Sequence, residues 1–391
     1  MDSVSPIRPR VFRYYLNQKV RRAVRWMMSL IMPRPNPERL DLRRDEIKKI
    51  LIVRATFRMG DSLLAIPAVS AFRQHFPHAR IDFLGAPISA ELFKNLPIDN
   101  HFTITRRYPG SGLDYPILLW RLRAIRYDLA VDVSCSQSAM AAFLIGFSGA
   151  RFRVGLTGKW DHSFNVRIPK ALEKNKYEVL PAFLRSLGLE CDSNLPSMIL
   201  SDGEKENGRR KIEALANKGS GRRIVGVFVG GRKSWGKRWP LKNFCELITA
   251  LDTQGLNVVV FVGPEEKDSV GYLHDVLNQD IPVVFESSPR DFAVMVAGCD
   301  LFVTCDSGPM HMACGLGVRT VAIFQYPNFD HWGPPAAQAR IVYEPGGRSA
   351  EGVFRACCDE LSIDYSSGRN LTEESVSQSF GLRPFPESGR L

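Results

Sequence analysis

Residues 300–324, DLFVTCDSGPMHMACGLGVRTVAIF, constrain the fold more than any other stretch of this chain. Two apolar runs flank the turn Asp306-Ser307-Gly308-Pro309-Met310-His311 and a short series of small residues that reads as a helix. Strand, turn, helix and strand in that order form the unit of a parallel sheet covered by helices. A helix that begins directly after a strand aims unpaired backbone N–H groups and the positive end of its dipole into the crevice at the strand's carboxyl edge. A diphosphate can be held there. Ser307 can cap or donate, Gly308 lets a ligand approach the backbone, Pro309 suits the first helical turn, and His311 lies one turn inside. An ordinary capped turn, with His311 a satisfied polar residue, fits the same letters, so other segments must decide.

The same alternation runs along most of the chain. After a break at Pro33, Pro35 and Pro37, strands are expected over residues 50–54, 81–84 and 129–133, with helices over 62–75, 113–126 and 137–146. Residues 201–223 are polar, Gly-rich and basic, contain a charged helix and then lose pattern. The alternation restarts with strands over 224–229, 258–262 and 283–285 and helices over 241–253, 267–278 and 290–297. At 391 residues the chain exceeds what one core usually supports. The expected organisation is an N-terminal extension (1–48), a Rossmann-like domain (49–200), a linker (201–223), a second Rossmann-like domain (224–363), and a short helix with a tail (364–391). Ligands of such sheets sit beyond the carboxyl ends of the strands, so two doubly wound units facing each other clamp a substrate in a central cleft.

Charge separates the extension from the rest. Residues 1–49 hold thirteen Lys or Arg against five Asp or Glu, which places +8 of the net +11 there. Phe12, Leu16, Val20, Ala23, Val24, Met27 and Ile31 recur at helical spacing, with Lys19, Arg21, Arg22 and Arg25 largely on the other side. Such a helix suits an anionic membrane surface, with Trp26, Met27 and Met28 entering the interface. A helix packed on the protein and a nucleic-acid-binding arm are the other readings; nucleic acid is not expected as a partner. No run of about 18 uncharged apolar residues exists to span a bilayer, and no secretory signal is read. The eight cysteines form no C-x-x-C pair and are expected as reduced core thiols, so a cytoplasmic location is expected.

Three turns at strand ends carry side chains suited to chemistry. In Thr56-Phe57-Arg58-Met59-Gly60-Asp61 the glycine permits a tight bend, Asp61 can accept a hydroxyl proton or merely cap the next helix, and Arg58 can bind an anion. In Gly230-Gly231-Arg232-Lys233-Ser234-Trp235-Gly236-Lys237-Arg238-Trp239-Pro240 four cations stand at a strand's carboxyl end, which suits phosphate, or form a solvated basic loop. In Gly263-Pro264-Glu265-Glu266 an acid can bridge ribose hydroxyls or face solvent.

Together the segments ILIVRATFRMGDSLLAIPAVSAFRQHFPHARIDFLGAP, KRWPLKNFCELITAL and DLFVTCDSGPMHMACGLGVRTVAIF, with Trp332-Gly333-Pro334, resemble glycosyltransferase family 9, the lipopolysaccharide heptosyltransferases. The resemblance spans residues 49–363 and implies the GT-B fold. It places the proposed catalytic base on Asp61, with Arg58 and Gly60 on the acceptor side. It places the Lys that neutralises donor phosphate on Lys237, and the turn that holds diphosphate and sugar on Asp306, Ser307, Gly308, Pro309 and His311. The ribose-binding acid falls on Glu265 or Glu266, and Gly230, Gly231 and Arg232 complete the donor side. The reaction implied is inverting transfer of a heptose-like sugar from a nucleotide diphosphate sugar, ADP-heptose, to a lipopolysaccharide core or related glycolipid at the inner face of the inner membrane. No D-x-D motif occurs, so no metal and no cofactor are expected. The chain departs from the family's usual residues at Phe57-Arg58-Met59 and Phe228-Val229-Gly230, which leaves the donor sugar open. Epimerisation or hydrolysis of a nucleotide sugar on the same fold, and non-catalytic nucleotide-sugar binding, are the competing readings.

Overall fold

The structure, a computed structural model, describes Trp26 and residues 38–42, 45–104, 114–215, 219, 221–231, 236–347 and 349–363. Trp26 apart, the expected basic amphipathic helix lies outside the described residues, as do Arg232 and the expected C-terminal helix and tail.

Twelve strands form two six-stranded sheets among the described residues. The first contains β1 (Lys49–Val53), β2 (Arg80–Gly85), β3 (Asn100–Thr103), β4 (Leu129–Asp132), β5 (Phe152–Leu156) and β6 (Val166–Ile168). The second contains β7 (Ile224–Phe228), β8 (Asn257–Val262), β9 (Val283–Phe285), β10 (Leu301–Cys305), β11 (Arg319–Phe324) and β12 (Ala339–Tyr343). The first-lobe helices are α1 (Met59–Leu63), α2 (Ile66–His75), α3 (Pro87–Leu92), α4 (Asp114–Ile125), α5 (Ala139–Phe147) and α6 (Lys176–Ser186). They are followed by α7 (Asp202–Leu215), α8 (Leu241–Thr253), α9 (Val270–Val276), α10 (Pro289–Val296), α11 (Gly308–Gly315), α12 (Phe329–Trp332) and α13 (Glu351–Leu361).

Every strand pair is parallel. The orders are β3-β2-β1-β4-β5-β6 and β9-β8-β7-β10-β11-β12, so the two lobes repeat one topology. The chain reverses direction across each sheet between β1 and β4 and between β7 and β10, and a doubly wound sheet binds its ligand at that switch point. The central strands are buried on both faces, which is why they read as unbroken apolar runs. Alternate residues serve opposite cores: Ile50 and Ile52 pack with Phe72 and Phe83, whereas Leu51 and Val53 pack with Leu122 and Ile145.

Two expected helices differ in detail. Residues 62–75 form two helices, because Pro67 sits in the first turn of α2, where it needs no N–H, and cannot extend α1. Residues 267–278 begin inside a 3-10 turn, Pro264–Ser269, before α9.

The lobes meet along several elements. Within the polar stretch 201–223, α7 packs on α10 so closely that a Cβ on Gly208 would stand 2.0 Å from the Val294 carbonyl oxygen. Arg290 on α10 donates to both Glu204 oxygens at 2.8 and 2.9 Å, to the Ile199 carbonyl at 2.8 Å and to the Leu92 carbonyl of α3 at 3.2 Å. Just before α7, the Met198 N–H donates to the Gly315 carbonyl at 3.0 Å, tying the crossing segment to the end of α11. Apolar packing is continuous from the first-lobe core to Phe261, Phe292 and Phe302 of the second.

Candidate active site

The turn after β1 and the turn after β10 face each other. Gly60 in α1 lies against α11: a Cβ there would stand 2.6 Å from His311 Cδ2 and 3.5 Å from the Gly308 Cα. A Cβ on Gly308 would in turn stand 3.0 Å from Met59 Sδ. The two glycines let the switch points of the two sheets approach to contact, which a side chain on either would oppose.

Asp61 stands beside this contact, its side chain 18% exposed. Arg54, at the end of β1, donates through Nε to the Asp61 carbonyl at 2.9 Å and through Nη2 to Oδ1 at 3.0 Å, and reaches the Val133 carbonyl with Nη1 at 3.5 Å. Arg58 Nη1 is 3.8 Å from Oδ2. One carboxylate oxygen is therefore pinned by a well-formed bond, while the contact from the half-exposed Arg58 to the other is long. A second acid, Asp132, ends β4 at the same switch point. Burial pushes its carboxyl up to about 6, against bonds from the Ser134 N–H and hydroxyl and the charge of Arg54. It is 3% exposed, and its Oδ1 is taken by Ser134.

On the opposite lobe Asp306 ends β10, buried at 6%, and accepts from Lys237 Nζ and, at 2.9 Å, from Asn328 Nδ2. Lys237 Nζ also lies 5.7 Å from the Trp332 ring centre, a cation–π distance. The ammonium is thus held at the mouth of the turn by a carboxylate and an aromatic face. Ser307 takes the N-cap position of α11 in extended conformation without capping through its side chain; its Oγ lies 3.4 Å from Thr304 Oγ1.

His311 lies at the contact with Gly60, 4% exposed. Burial pushes its imidazole down to about 4; Asp306 and Asp61 oppose that and Lys237 adds to it. The His311 Nδ1 is 2.6 Å from Tyr177 Oη, on α6 of the first lobe. Asn175 accepts from the Tyr177 N–H at 2.9 Å as the cap of α6 and donates through Nδ2 to the Gly333 carbonyl at 2.9 Å, so one side chain orients Tyr177 and links the lobes.

The remaining expected residues gather at the ends of β7 and β8. Glu266 is 5% exposed, accepts from the Gly231 N–H at 3.3 Å, and has its carboxyl raised by burial. Gly230 lies against it: a Cβ would stand 2.8 Å from Glu266 Cδ. Glu265 is exposed, which leaves Glu266 as the acid that lines the sheet edge. Among the described residues no group of three or more His, Cys, Asp or Glu stands together to hold a metal ion. Arg54, Asp132, Asn175, Tyr177 and Asn328 belong to the same region and carry no motif of their own; only their positions at strand and helix ends hint at them.

Residues 118–358 match the profile of the family described as glycosyltransferase family 9 (heptosyltransferase). The chain is 25% identical over 297 residues to lipopolysaccharide heptosyltransferase 3 of Escherichia coli, covering 70% of this chain and 83% of that protein. It is 26% identical over 285 residues to lipooligosaccharide heptosyltransferase 2 of Campylobacter jejuni subsp. jejuni, covering 71% and 81%. The fold matches the family 9 glycosyl transferase of Veillonella parvula with a TM-score of 0.68 at 18% identity over 85% of this chain and 95% of that one. It matches ADP-heptose lps heptosyltransferase II of E. coli with a TM-score of 0.65 at 21% identity, covering 81% and 99%. With two parallel sheets of one topology in GT-B arrangement and a profile match over more than half its length, the chain belongs to glycosyltransferase family 9 and is a glycosyltransferase.

Proposed function

We propose that this enzyme transfers a heptose-like sugar, with inversion, from a nucleotide diphosphate sugar to a hydroxyl of a lipopolysaccharide core or related glycolipid. The observation that carries this reading is that the first-lobe turn bearing Asp61 meets the second-lobe turn bearing Asp306 and its partner Lys237, with Gly60 packed against His311. ADP-heptose is the donor that the relatives favour, since a solved relative of E. coli, with a TM-score of 0.61, holds ADP-2-deoxy-2-fluoro heptose.

In the proposed reaction the acceptor oxygen attacks the anomeric carbon as the bond from that carbon to the diphosphate breaks. The acceptor proton passes to Asp61 and the electron pair leaves with the phosphoryl oxygen. Arg54 fixes Asp61 through its carbonyl and its Oδ1. Lys237, the Ser307 hydroxyl and the N–H groups and dipole of α11 stabilise the charge that grows on the departing diphosphate. Glu266 is placed for ribose hydroxyls, and Arg58 and Gly60 line the acceptor side. An acceptor of this class would be met at the inner face of the inner membrane, and no described helix is long and apolar enough to cross a membrane.

The test is Asp61→Asn. A general base is worth about a hundred to ten thousandfold, so turnover of ADP-heptose with a lipopolysaccharide acceptor should fall about a thousandfold while ADP affinity, read by calorimetry, stays within a few fold. Full turnover by Asp61→Asn would overturn the assignment of the base.

A further inference from the structure

We propose that Tyr177 is a positioning residue that holds His311 as its neutral Nε2–H tautomer, so that the first lobe sets a hydrogen-bond donor of the second lobe against the turn that bears Gly60 and Asp61. A neutral imidazole carries one N–H, and whichever nitrogen receives a hydrogen bond leaves the proton on the other. His311 is buried and neutral, and its Nδ1 lies 2.6 Å from Tyr177 Oη. Tyr177 is 2% exposed and its phenol is raised far above its ordinary range by burial, so it keeps its proton. That O–H has two neighbours to receive it, the imidazole nitrogen and the Cys314 sulfur. A thiol sulfur is a weak acceptor and an imidazole nitrogen a strong one. The phenol therefore donates to Nδ1, and the histidine proton resides on Nε2.

Nε2 lies on the ring edge that faces α1, 3.3 Å from where a Cβ on Gly60 would stand. This is the edge nearest the first-lobe turn that bears Asp61. A neutral donor there serves a ligand oxygen without adding a cation beside Lys237. Because Tyr177 belongs to α6 and His311 to α11, the bond exists only while the lobes are apposed, and Asn175 reinforces that arrangement by capping α6 and bonding Gly333. Separation of the lobes frees Nδ1, and the tautomer is no longer imposed.

The identity of the oxygen that Nε2–H meets rests on the glycosyl-transfer reading; the tautomer does not. The full chain, labelled with nitrogen-15 in its histidines, is examined by nitrogen-proton correlation without ligand at neutral pH, the His311 signals being identified by their loss in His311→Gln. The wild type should show the Nε2–H form alone and Tyr177→Phe, still folded with a modestly lower melting temperature, a mixture of both tautomers. A wild-type Nδ1–H form, or a Tyr177→Phe spectrum with Nε2–H alone, would overturn the proposal. In steady-state kinetics with ADP-heptose, Tyr177→Phe should lower kcat roughly tenfold, the worth of one hydrogen bond, and change donor KM by less than threefold. Wild-type kcat in a Tyr177→Phe protein whose tautomers are mixed would overturn the positioning role. Failure of the wild type to transfer any offered sugar would count against the glycosyl-transfer reading, while the nitrogen signals would still decide the tautomer.

Discussion

Gly60 has no room for a methyl group. A Cβ there would stand 2.6 Å from a ring carbon of His311, and that ring cannot swing aside because it is buried and bonded to Tyr177. Replacing a helical Gly by Ala gains about 1 kcal/mol of propensity. Overpacking at a rigid contact costs about 1–3 kcal/mol. The clash should win, and its relief requires α1 and α11 to separate. Gly60→Ala is therefore expected to lower kcat/KM roughly a hundredfold, as an ångström of misplacement can, with a modest loss of melting temperature. Wild-type kcat/KM in this variant would show that the lobes need not touch here. The residues around this contact differ in how far they were legible. Asp61, Lys237, Asp306 and His311 sit in turns whose composition marks a strand end opening into a helix. Tyr177 and Asn328 are ordinary letters whose relevance arises only when α6 and the segment after β11 are folded over α11.

At the scale of elements, apolar runs located the central strands because both faces of β1, β7, β8 and β10 are buried. The edge strands β3, β6 and β12 escaped notice because they are short and partly exposed, so neither a continuous run nor clean alternation marks them. The helix α6 was also invisible, since Pro181 lies inside it and its register depends on the Asn175 cap. What fastens the lobes was equally hidden. Arg290 spends its donors on Glu204, Ile199 and Leu92, three chain positions far from it, and Asn95 adds a bond to Glu204 at 2.8 Å. The Arg290 bond, joined by the Ser201 N–H and hydroxyl and by Asn95, holds the Glu204 carboxyl well below the usual range against the opposing effect of burial. A carboxyl lower in the folded state than in the unfolded one stabilises above the unfolded value, about 4.3, and loses that contribution as pH falls toward the folded value. Glu204→Gln is thus expected to cost about 2–3 kcal/mol at pH 7 by leaving a buried guanidinium without its counter-charge. Denaturant midpoints should show the gap to wild type shrinking below about pH 4. A gap that stays constant from neutral to acid pH would mean that the Arg290 contact contributes shape and not charge.

For the whole molecule, the distribution of charge bears on where the acceptor is met. The first 49 residues carry +8 and the remaining chain only +3, so a basic segment is joined to a nearly balanced pair of lobes. If the acceptor is lipid-linked, the enzyme must work beside a surface bearing anionic headgroups, and each Lys or Arg close to such a surface contributes about 1 kcal/mol. The interaction decays within a Debye length, about 8 Å at physiological ionic strength, so it must be sensitive to salt. Membrane recruitment by residues 1–35 therefore makes a joint prediction. Deleting them should abolish salt-sensitive sedimentation with vesicles rich in phosphatidylglycerol and slow transfer to a membrane-embedded acceptor. It should leave transfer to a soluble acceptor fragment and the melting temperature nearly unchanged, because Asp61, Lys237 and the α11 turn all lie outside the deleted segment. Loss of activity on both acceptors together with a lower melting temperature would instead mean that the segment packs against the lobes. Undiminished sedimentation of the truncated chain would move the membrane contact elsewhere on the molecule.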